Sequence, residues 1–253
     1  MSQTTPSLRI ALVGYGKMGK EVERVALDRG REIAARIDID SPSLQTPEVK
    51  KADVAIHFAI PSTVRNHVDD LAKIGKPVVI GTTGWQKEFA AVRSVVESSG
   101  IGVVHASNFS VGVNILSYLL REAGKLFDRF EEYDVAVHEV HHKDKLDAPS
   151  GTALAIADIL LKSIARKKEI LAGSPEGKIR PEQLQVSSGR YGTVVGVHRV
   201  TFDSAADSVE ITHTAKNRTG FALGAVMAAA WVKDKKGIFT FDDVLSDLLT
   251  QQR

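Results

Sequence analysis

The sequence predicts an α/β protein in which a parallel sheet with helices on both faces is followed by a second region of α+β character. Up to about residue 109, short apolar runs alternate with segments of helical periodicity, which is typical of strand–helix–strand units. Beyond that point, longer amphipathic segments and strands of alternating polarity replace the apolar runs. The length of 253 residues suits one large domain or two small ones.

The strands predicted for the first region are short, largely apolar and end in small or polar residues, as buried parallel strands do. They cover residues 10–13, 33–38, 52–60, 77–84 and 100–110. Segments with helical spacing of apolar residues cover 22–27, 62–75 and 85–100. This order predicts a doubly wound sheet.

The second region is predicted to contain two amphipathic helices, an exposed loop and three alternating strands. The helices cover 113–127 and 150–169, the loop 171–185, and the strands 133–142, 193–204 and 207–215. The last two strands are expected to be antiparallel, and the segment 221–249 has helical character throughout. We therefore assign residues 1–109 with 220–253 to the first domain and residues 110–219 to the second.

The composition limits the kinds of partner. The 33 basic and 31 acidic side chains give a net charge of +2, so no overall field favours nucleic acid or a membrane surface. The absence of cysteine excludes disulfides, thiolate nucleophiles and cysteine-ligated metals. Met1 to Ser7 lacks the features of a secretory signal, and no apolar run approaches the roughly 20 residues of a membrane span. We expect a soluble, cytoplasmic protein.

A glycine-rich loop lies between the first predicted strand and helix. Gly14, Gly16 and Gly19 form G-x-G-x-x-G, in which the glycines permit a tight turn, close approach of a pyrophosphate and helix packing. Asp38 lies 19 residues after Gly19, at the end of the next strand, where a carboxylate accepts hydrogen bonds from ribose. The alternative is an ordinary glycine-rich turn with an incidental aspartate.

The residues around Asp38 favour NAD(H), because a carboxylate there repels a 2′-phosphate and Ile39, not a basic residue, follows it. Lys17 and Arg36 keep NADP(H) open. Two further segments, 81–84 (GTTG) and 106–109 (ASNF), lie at the carboxyl ends of predicted strands, the edge where such sheets bind ligands. Either segment alone is equally consistent with a plain loop.

The stretch 138–153, HEVHHKDKLDAPSGTA, concentrates imidazole and ammonium groups. A metal site at His138 and His142 would require a helix, because on a strand these residues lie about 13 Å apart. A solvated basic loop, balanced by Glu139, Asp144 and Asp147, is the second alternative.

The functional interpretation of this stretch is a pocket for a small carboxylated substrate. His141, His142, Lys143 and Lys145 lie at the end of a predicted strand, and the chain then enters a helix. Ser150 can cap that helix, while Gly151 and Thr152 can offer an N–H group and a hydroxyl to an anion. A histidine near its ordinary pKa of about 6.5 suits proton transfer.

The stretch EVHHKDKLDAPSGTA closely resembles the signature of the dihydrodipicolinate reductase family, now called 4-hydroxy-tetrahydrodipicolinate reductase, of diaminopimelate and lysine biosynthesis. VIGTTG and NFSVGVN are similar to two other family signatures, in the same order. The resemblance implies a Rossmann-like nucleotide-binding domain, a substrate domain whose sheet builds a homotetramer, and a C-terminal segment that returns to the first domain.

Site residues follow from the resemblance by position. It implies that His141 is a proton donor and acceptor, that Lys145 is a proton donor, and that His142, Gly151 and Thr152 contact the substrate. The implied cofactor contacts, to NADH or NADPH, are Gly14, Tyr15, Gly16, Lys17, Met18, Gly19, Asp38, Gly81, Thr82, Thr83, Ala106, Ser107, Asn108 and Phe109. Arg190, His198 and Arg218 fall in similar blocks. The glycine loop is one residue shorter than in many members. This difference affects the contacts to the cofactor phosphates and therefore the preference between NADH and NADPH.

The implied reaction is hydride transfer from the nicotinamide to C4 of a cyclic imine dicarboxylate, with no metal. Lys145 and the Gly151–Thr152 turn would hold the carboxylates of this small heterocycle, while His141 and Lys145 would assist proton delivery. Two alternatives are another two-domain nicotinamide enzyme, of the aspartate dehydrogenase type, and a nucleotide sensor without catalysis.

Overall fold

The structure, a computed structural model, describes residues 7–38 and 43–250. Ile39 and the segment before Ser7 lie outside the described residues. The chain divides into two compact units, the first formed by Met1–Val111 with Arg218–Arg253 and the second by Gly112–Asn217.

The elements are numbered in chain order. The strands are β1 Arg9–Val13, β2 Glu32–Ile37, β3 Val54–His57, β4 Val78–Ile80, β5 Gly102–His105, β6 Asp134–His141, β7 Glu169–Ala172, β8 Gln183–Arg190, β9 Gly196–Asp203, β10 Ser208–Ala215 and β11 Gly237–Thr240. The helices are α1 Lys17–Asp28, α2 Pro47–Lys51, α3 Val64–Lys73, α4 Phe89–Ser99, α5 Val111–Phe127, α6 Gly151–Ser163, α7 Thr219–Val232 and α8 Phe241–Thr250.

The first unit contains a parallel sheet, with the described strands in the order β11-β5-β4-β3-β1-β2. The strands in its middle are almost entirely apolar and buried, apart from the exposed Arg9 at the start of β1 and the buried His57 at the end of β3, as expected where helices cover both faces. The chain leaves β1 for β2 on one side and returns to β3 on the other. This reversal is the topological switch point, beside which open α/β sheets bind ligands.

The C-terminal segment corrects the sequence prediction. Residues 221–249 were expected to be helical throughout, but α7 ends at Val232 and β11 pairs in parallel with β5 before α8 begins. The backbone of Gly237 has φ +111°, a conformation that ends helical structure and is available mainly to glycine. Hydrophobic periodicity could not reveal β11, because its partner strand lies more than a hundred residues earlier.

The second unit contains a mixed sheet with the described strands in the order β10-β9-β6-β8-β7. β9 and β10 are antiparallel, as predicted, and β6 pairs antiparallel with β9 but parallel with β8. The helices α5 and α6 supply Leu116, Leu120, Ile156 and Leu160 to the core on one face of this sheet.

Two predictions in the second unit were wrong. The helix expected over 150–169 ends at Ser163, and the loop expected over 171–185 contains the second half of β7 and the start of β8. Ile164 remains buried but is extended, and the buried ammonium of Lys167 donates to the carbonyl oxygens of Pro181 and Gln183 at 2.9 and 2.7 Å. These long-range bonds replace further helical turns.

No helix within residues 7–38 and 43–250 combines the length and apolar character that a membrane span needs.

Glycine allows α7 to approach the loop after β5. A Cβ atom on Gly224 would lie 1.9 Å from the carbonyl oxygen of Phe109, whereas one on Gly220 would lie 3.4 Å from Ser110 Oγ. Phe109, one of the expected cofactor contacts, can therefore take its position only because residue 224 is glycine.

Substitution of these two glycines by alanine should have opposite effects on stability. Gly224→Ala should lower the free energy of unfolding by about 3 kcal/mol or more, because the backbone must move to relieve the overlap. Gly220→Ala should raise it by about 0.5 to 1 kcal/mol, since alanine costs less entropy in a helix. Thermal unfolding followed by circular dichroism measures both, and equal midpoints for the two variants would contradict the packing argument.

Candidate active site

The glycine loop joins β1 to α1 at the switch point. Gly14 has φ +91°, and a Cβ there would lie 2.2 Å from the carbonyl oxygen of Phe58, in the chain that follows β3. A Cβ on Gly19 would lie 2.3 Å from the carbonyl oxygen of Gly14, so this glycine lets α1 close on the loop. Both positions need glycine for the packing reasons that the motif predicts.

The first turn of α1 is suited to an anion. A Cβ built on Gly16, the N-cap, would meet no described atom within 4 Å, and no side chain among the described residues caps the turn. The turn contains no acidic residue, and Lys17 is exposed. Helix N–H groups beside open space can bind a pyrophosphate. Met18 instead packs against the apolar core.

The loop after β2 completes the nucleotide-binding geometry. The N–H group of Gly14 donates to the carbonyl oxygen of Ile37 at 2.8 Å, which brings the exposed Asp38 beside the glycine loop. A dinucleotide fits this arrangement, because no side chain at Gly14, Gly16 or Gly19 blocks the loop and the carboxylate of Asp38 lies next to it.

The GTTG segment meets the chain after β3 through a buried hydroxyl. Thr82 Oγ1 accepts a hydrogen bond from the N–H group of Ala59 at 3.0 Å and lies 2.8 Å from Nδ1 of His57. The Thr82 side chain therefore holds this loop, while Thr83 is exposed. Nε2 of His57 lies 2.9 Å from Nδ1 of His67, and burial, together with that neighbour, lowers the pKa of His57 to about 3.

Phe58 contacts the glycine loop, the GTTG segment and the loop after β5. A Cβ on Gly81 would lie 2.1 Å from the Phe58 ring, and the ring of Phe109 packs edge-on at 6.4 Å between centroids. Phe109 is buried, Ala106 and Asn108 are half-buried and Ser107 is exposed. Neither Phe58 nor His57 was among the expected site residues. The available signal was their position at the carboxyl end of a buried strand, where His57 is the last residue of β3 and Phe58 follows it.

The second unit places a buried carboxylate beside the expected catalytic histidine. Glu139 and His141 are two residues apart on β6 and therefore face the same side of the sheet. Nδ1 of His141 hydrogen-bonds to Glu139 Oε2, and Arg190 donates to Oε1 at 2.6 Å. The N–H group of Ser150, the N-cap of α6, also donates to Oε1 at 3.2 Å.

Polar side chains from four neighbouring strands form a row, here called the polar row, across the buried face of the sheet: Glu139, His141, Arg190, His198 and His213. In register, His213 on β10 pairs with His198 on β9, and His198 pairs with Glu139 on β6. Nε2 of His198 lies 3.3 Å from the hydroxyl of Ser150. Further along the same strands, this face carries the apolar residues Val137 and Val200. The polar row therefore continues a hydrophobic core.

Ionisation within the row follows from burial and charge. Burial opposes the charge of Glu139, but the hydrogen bond from Arg190 and the charges of His141 and Arg190 outweigh it and lower its pKa to about 2. Burial lowers the pKa of His141 below its ordinary value; Lys145 and Arg190 act in the same direction, and Glu139 opposes them. Burial, with His141 nearby, lowers the pKa of His198 to about 4.

Several buried nitrogen atoms in this region have no hydrogen-bond partner among the described residues. They are Nε of Arg190, Nδ1 of His198 and Nδ1 of His213. Buried polar atoms are rarely left unpaired, so a polar ligand or ordered water is expected at this place.

In the loop after β6, the carboxylate of Asp147 is bonded to groups that were expected to bind the substrate. Lys145 Nζ donates to Asp147 Oδ1 at 2.6 Å, and the backbone of Gly151 hydrogen-bonds to the same side chain. The bond from Lys145 is the main reason why the pKa of Asp147 lies below its usual range. His142, at the start of this loop, and Thr152, in the first turn of α6, are both half-buried.

The structure does not support the metal site considered at His138 and His142. His138 lies on a strand, is exposed, and contacts Ser187 Oγ at 2.8 Å through Nδ1. Among the described residues, Glu139, His141 and His198 place donor atoms within 4.8 Å of one another. Both oxygens of Glu139 already have partners, however, and the guanidinium of Arg190 repels a cation there.

Arg190 and His198, named from the resemblance, belong to the polar row, whereas Arg218 is the N-cap of α7 in the first unit. Glu139 had been considered only as a balancing charge, and His213 was missed. The signal for Glu139 was its place, with His141, in the alternation that makes Val135 and Val137 core residues.

Two family models match the chain. The N-terminus of dihydrodipicolinate reductase matches residues 8–109, and its C-terminus matches residues 112–245. A 4-hydroxy-tetrahydrodipicolinate reductase of Christiangramia forsetii is 40% identical over 243 residues, which cover 95% of this chain and 99% of the relative. That of Methanoregula boonei is 36% identical over 245 residues, 91% of this chain and 94% of the relative.

A solved structure shares the fold. Dipicolinate-bound dihydrodipicolinate reductase from Paenisporosarcina sp. TG-14 has a TM-score of 0.75 and 22% identity, covering 93% of this chain and 98% of that chain. These matches do not favour either alternative, an aspartate dehydrogenase type of enzyme or a nucleotide sensor. The chain belongs to the dihydrodipicolinate reductase family of oxidoreductases, whose N-terminal domain binds a nicotinamide cofactor.

Proposed function

We propose that this protein catalyses the NAD(P)H-dependent reduction of dihydrodipicolinate, formed from 4-hydroxy-tetrahydrodipicolinate, to tetrahydrodipicolinate in diaminopimelate and lysine biosynthesis. The main support is the match of both family models to a chain in which His141 is bonded to a buried carboxylate. We further propose that it acts in the cytoplasm as a homotetramer, with residues 1–109 and 220–253 binding the cofactor and residues 110–219 binding the substrate.

Binding of the substrate is proposed to replace an internal contact. A substrate carboxylate takes the place of the Asp147 carboxylate at Lys145 and at the N–H group of Gly151, with Thr152 and His142 beside it. Each charge-assisted hydrogen bond contributes about 1.5 to 3 kcal/mol, but the net gain is smaller because the bond to Asp147 is lost. Nε of Arg190 can donate a hydrogen bond to a remaining polar group of the substrate, and Nδ1 of His198 or of His213 can donate or accept one, depending on the tautomer.

His141 is proposed to transfer the proton, assisted by Lys145. Because Nδ1 of His141 hydrogen-bonds to Glu139, Nε2 is the atom that can exchange a proton with the substrate. Gly196 leaves room on that side, since a Cβ there would lie 3.0 Å from Nε2. A dianionic substrate raises the pKa of His141, which burial has lowered, so the imidazole becomes protonated when the substrate binds.

The reaction needs one hydride and one proton. The reduced nicotinamide, when bound, supplies the hydride. His141 delivers the proton to the ring as negative charge develops on it, and Lys145 assists because its ammonium, with the guanidinium of Arg190, stabilises that charge. Glu139 is assigned as a positioning residue, because it is fully buried and holds the ring and the tautomer of His141.

Purified protein should oxidise NAD(P)H when freshly prepared 4-hydroxy-tetrahydrodipicolinate is added. His141→Ala should lower kcat by about 10²-fold to 10⁴-fold with a small change in KM, because it removes proton transfer. Lys145→Ala should lower kcat and raise KM, since this ammonium also binds a carboxylate. His138→Ala, on the exposed part of the same strand, is the control. If the wild-type protein showed no turnover, the proposed function would be contradicted. If kcat were unchanged in either variant, the role assigned to the substituted residue would be contradicted.

The pKa of His141 should depend on Glu139. In the free protein it should lie below 6.5, and in Glu139→Gln it should be lower still, because the carboxylate favours the imidazolium. Nuclear magnetic resonance titration of the histidine ring signals measures both values. Glu210→Gln, an exposed carboxylate on β10, should leave the value unchanged. A higher pKa in Glu139→Gln would show that the carboxylate does not stabilise the imidazolium.

We propose NADH as the favoured cofactor, because Asp38 can accept hydrogen bonds from ribose and repels a 2′-phosphate. The ratio of kcat/KM for NADH to that for NADPH should therefore exceed one and should fall in Asp38→Asn. Asp28→Asn, which removes the same charge from the exposed end of α1, is the matched control. A ratio below one in the wild-type protein would refute this preference.

A further inference from the structure

Three side chains form a cluster beside the glycine loop, here called the Glu23 cluster: Tyr15, Glu23 and Arg36. The hydroxyl of Tyr15 donates to Glu23 Oε2, and Arg36 donates to Oε1 from Nε at 3.0 Å and from a terminal nitrogen. The guanidinium carbon of Arg36 also lies 6.0 Å from the centroid of the Tyr15 ring. The cluster thus joins the glycine loop, α1 and β2.

The cluster lies at the end of β2 that leads to Asp38. Arg36 pairs in register with Leu12, directly before the positions where Ile37 pairs with Val13 and accepts from the N–H group of Gly14. Arg36 and Asp38 are two residues apart, which in an extended chain places them on the same side. An arginine near the acidic residue after β2 is the kind of group that accommodates a 2′-phosphate in dinucleotide-binding domains.

Glu23 engages this arginine with a carboxylate that is itself largely buried. The Glu23 side chain is 14% exposed and that of Arg36 46% exposed. Hydrogen bonds from Arg36 lower the pKa of Glu23, so the carboxylate is ionised at neutral pH. Two of the guanidinium donors bond to one carboxylate oxygen, and the positive charge is offset before any ligand arrives.

We propose that Glu23 determines nucleotide specificity: by bonding to Arg36 it withdraws the cation that a 2′-phosphate would require, and so favours the unphosphorylated dinucleotide. This inference rests on the nucleotide site of the proposed function. A 2′-phosphate would have to separate Arg36 from Glu23 or lie beside two carboxylates, those of Glu23 and Asp38. NADH meets neither obstacle.

A purely structural role for the cluster makes a different prediction. If Glu23 only joined α1 to β2, its removal would weaken NADH and NADPH binding together. The ammonium of Lys20, 5.9 Å from the Tyr15 ring centroid, is present in every variant considered and contributes equally to each.

The test is calorimetric titration of the full-length protein with NADH and with NADPH. Glu23→Gln should lower the Kd for NADPH about tenfold, the effect of one charge-assisted contact, and change that for NADH less than about twofold. Arg36→Gln leaves Glu23 without its cation and should raise the Kd for NADPH alone. The double variant Glu23→Gln with Arg36→Gln should lose the gain of the single Glu23 substitution.

Glu21→Gln is the matched control, since Glu21 is also on α1 and bonded to an arginine, Arg24, but does not contact the cluster. It should leave the ratio of the two Kd values unchanged. Wild-type protein that binds neither nucleotide would refute the nucleotide site itself. Normal wild-type binding with an unchanged ratio in Glu23→Gln would overturn only the role of Glu23. If Glu23→Gln proved unstable, an equal effect of Arg36→Gln on both nucleotides would overturn it as well.

Discussion

The second unit depends on the ionised carboxylate of Glu139, which is fully buried at the polar end of a sheet core. A buried charge is stable only if it is paired and hydrogen-bonded, and this one is bonded to β8 through Arg190, to β6 through His141 and to the start of α6 through Ser150. Loss of one partner from such a buried group typically costs about 3 to 5 kcal/mol. The same bonds that satisfy the charge also orient the imidazole of His141.

The first unit achieves its geometry by close backbone packing. Side chains are absent at Gly14, Gly19 and Gly81, where a Cβ would overlap with Phe58 or with the loop itself. The loops after β1, β3 and β4 can therefore converge on one aromatic residue, and the helix N-terminus beside them is left for an anion. Thr82 and His57 use their polar atoms within this arrangement, which explains why a threonine of the expected cofactor segment is buried.

Local patterns predicted much of this architecture because buried strands and amphipathic helices have characteristic periods. The glycine loop, the position of Asp38 and the strand that carries His141 all follow from such patterns. Predictions were wrong where a segment's structure depends on a distant partner. β11 requires the edge of β5, and the chain after Ser163 is extended because Ile164 and Lys167 find buried partners elsewhere.

The sequence by itself determined the family, the succession of the first five strands along the chain and the residue types available for binding and proton transfer, since these depend on local spacing and on motif identity. Only the tertiary structure decided which of those residues meet. Glu139, Arg190, His198 and His213 come from four different strands, and their alignment depends on the strand register. Likewise, the bond of Glu23 to Arg36 depends on how α1 packs on β2. Register and packing are set by long-range hydrogen bonds and shape complementarity, which no local pattern contains.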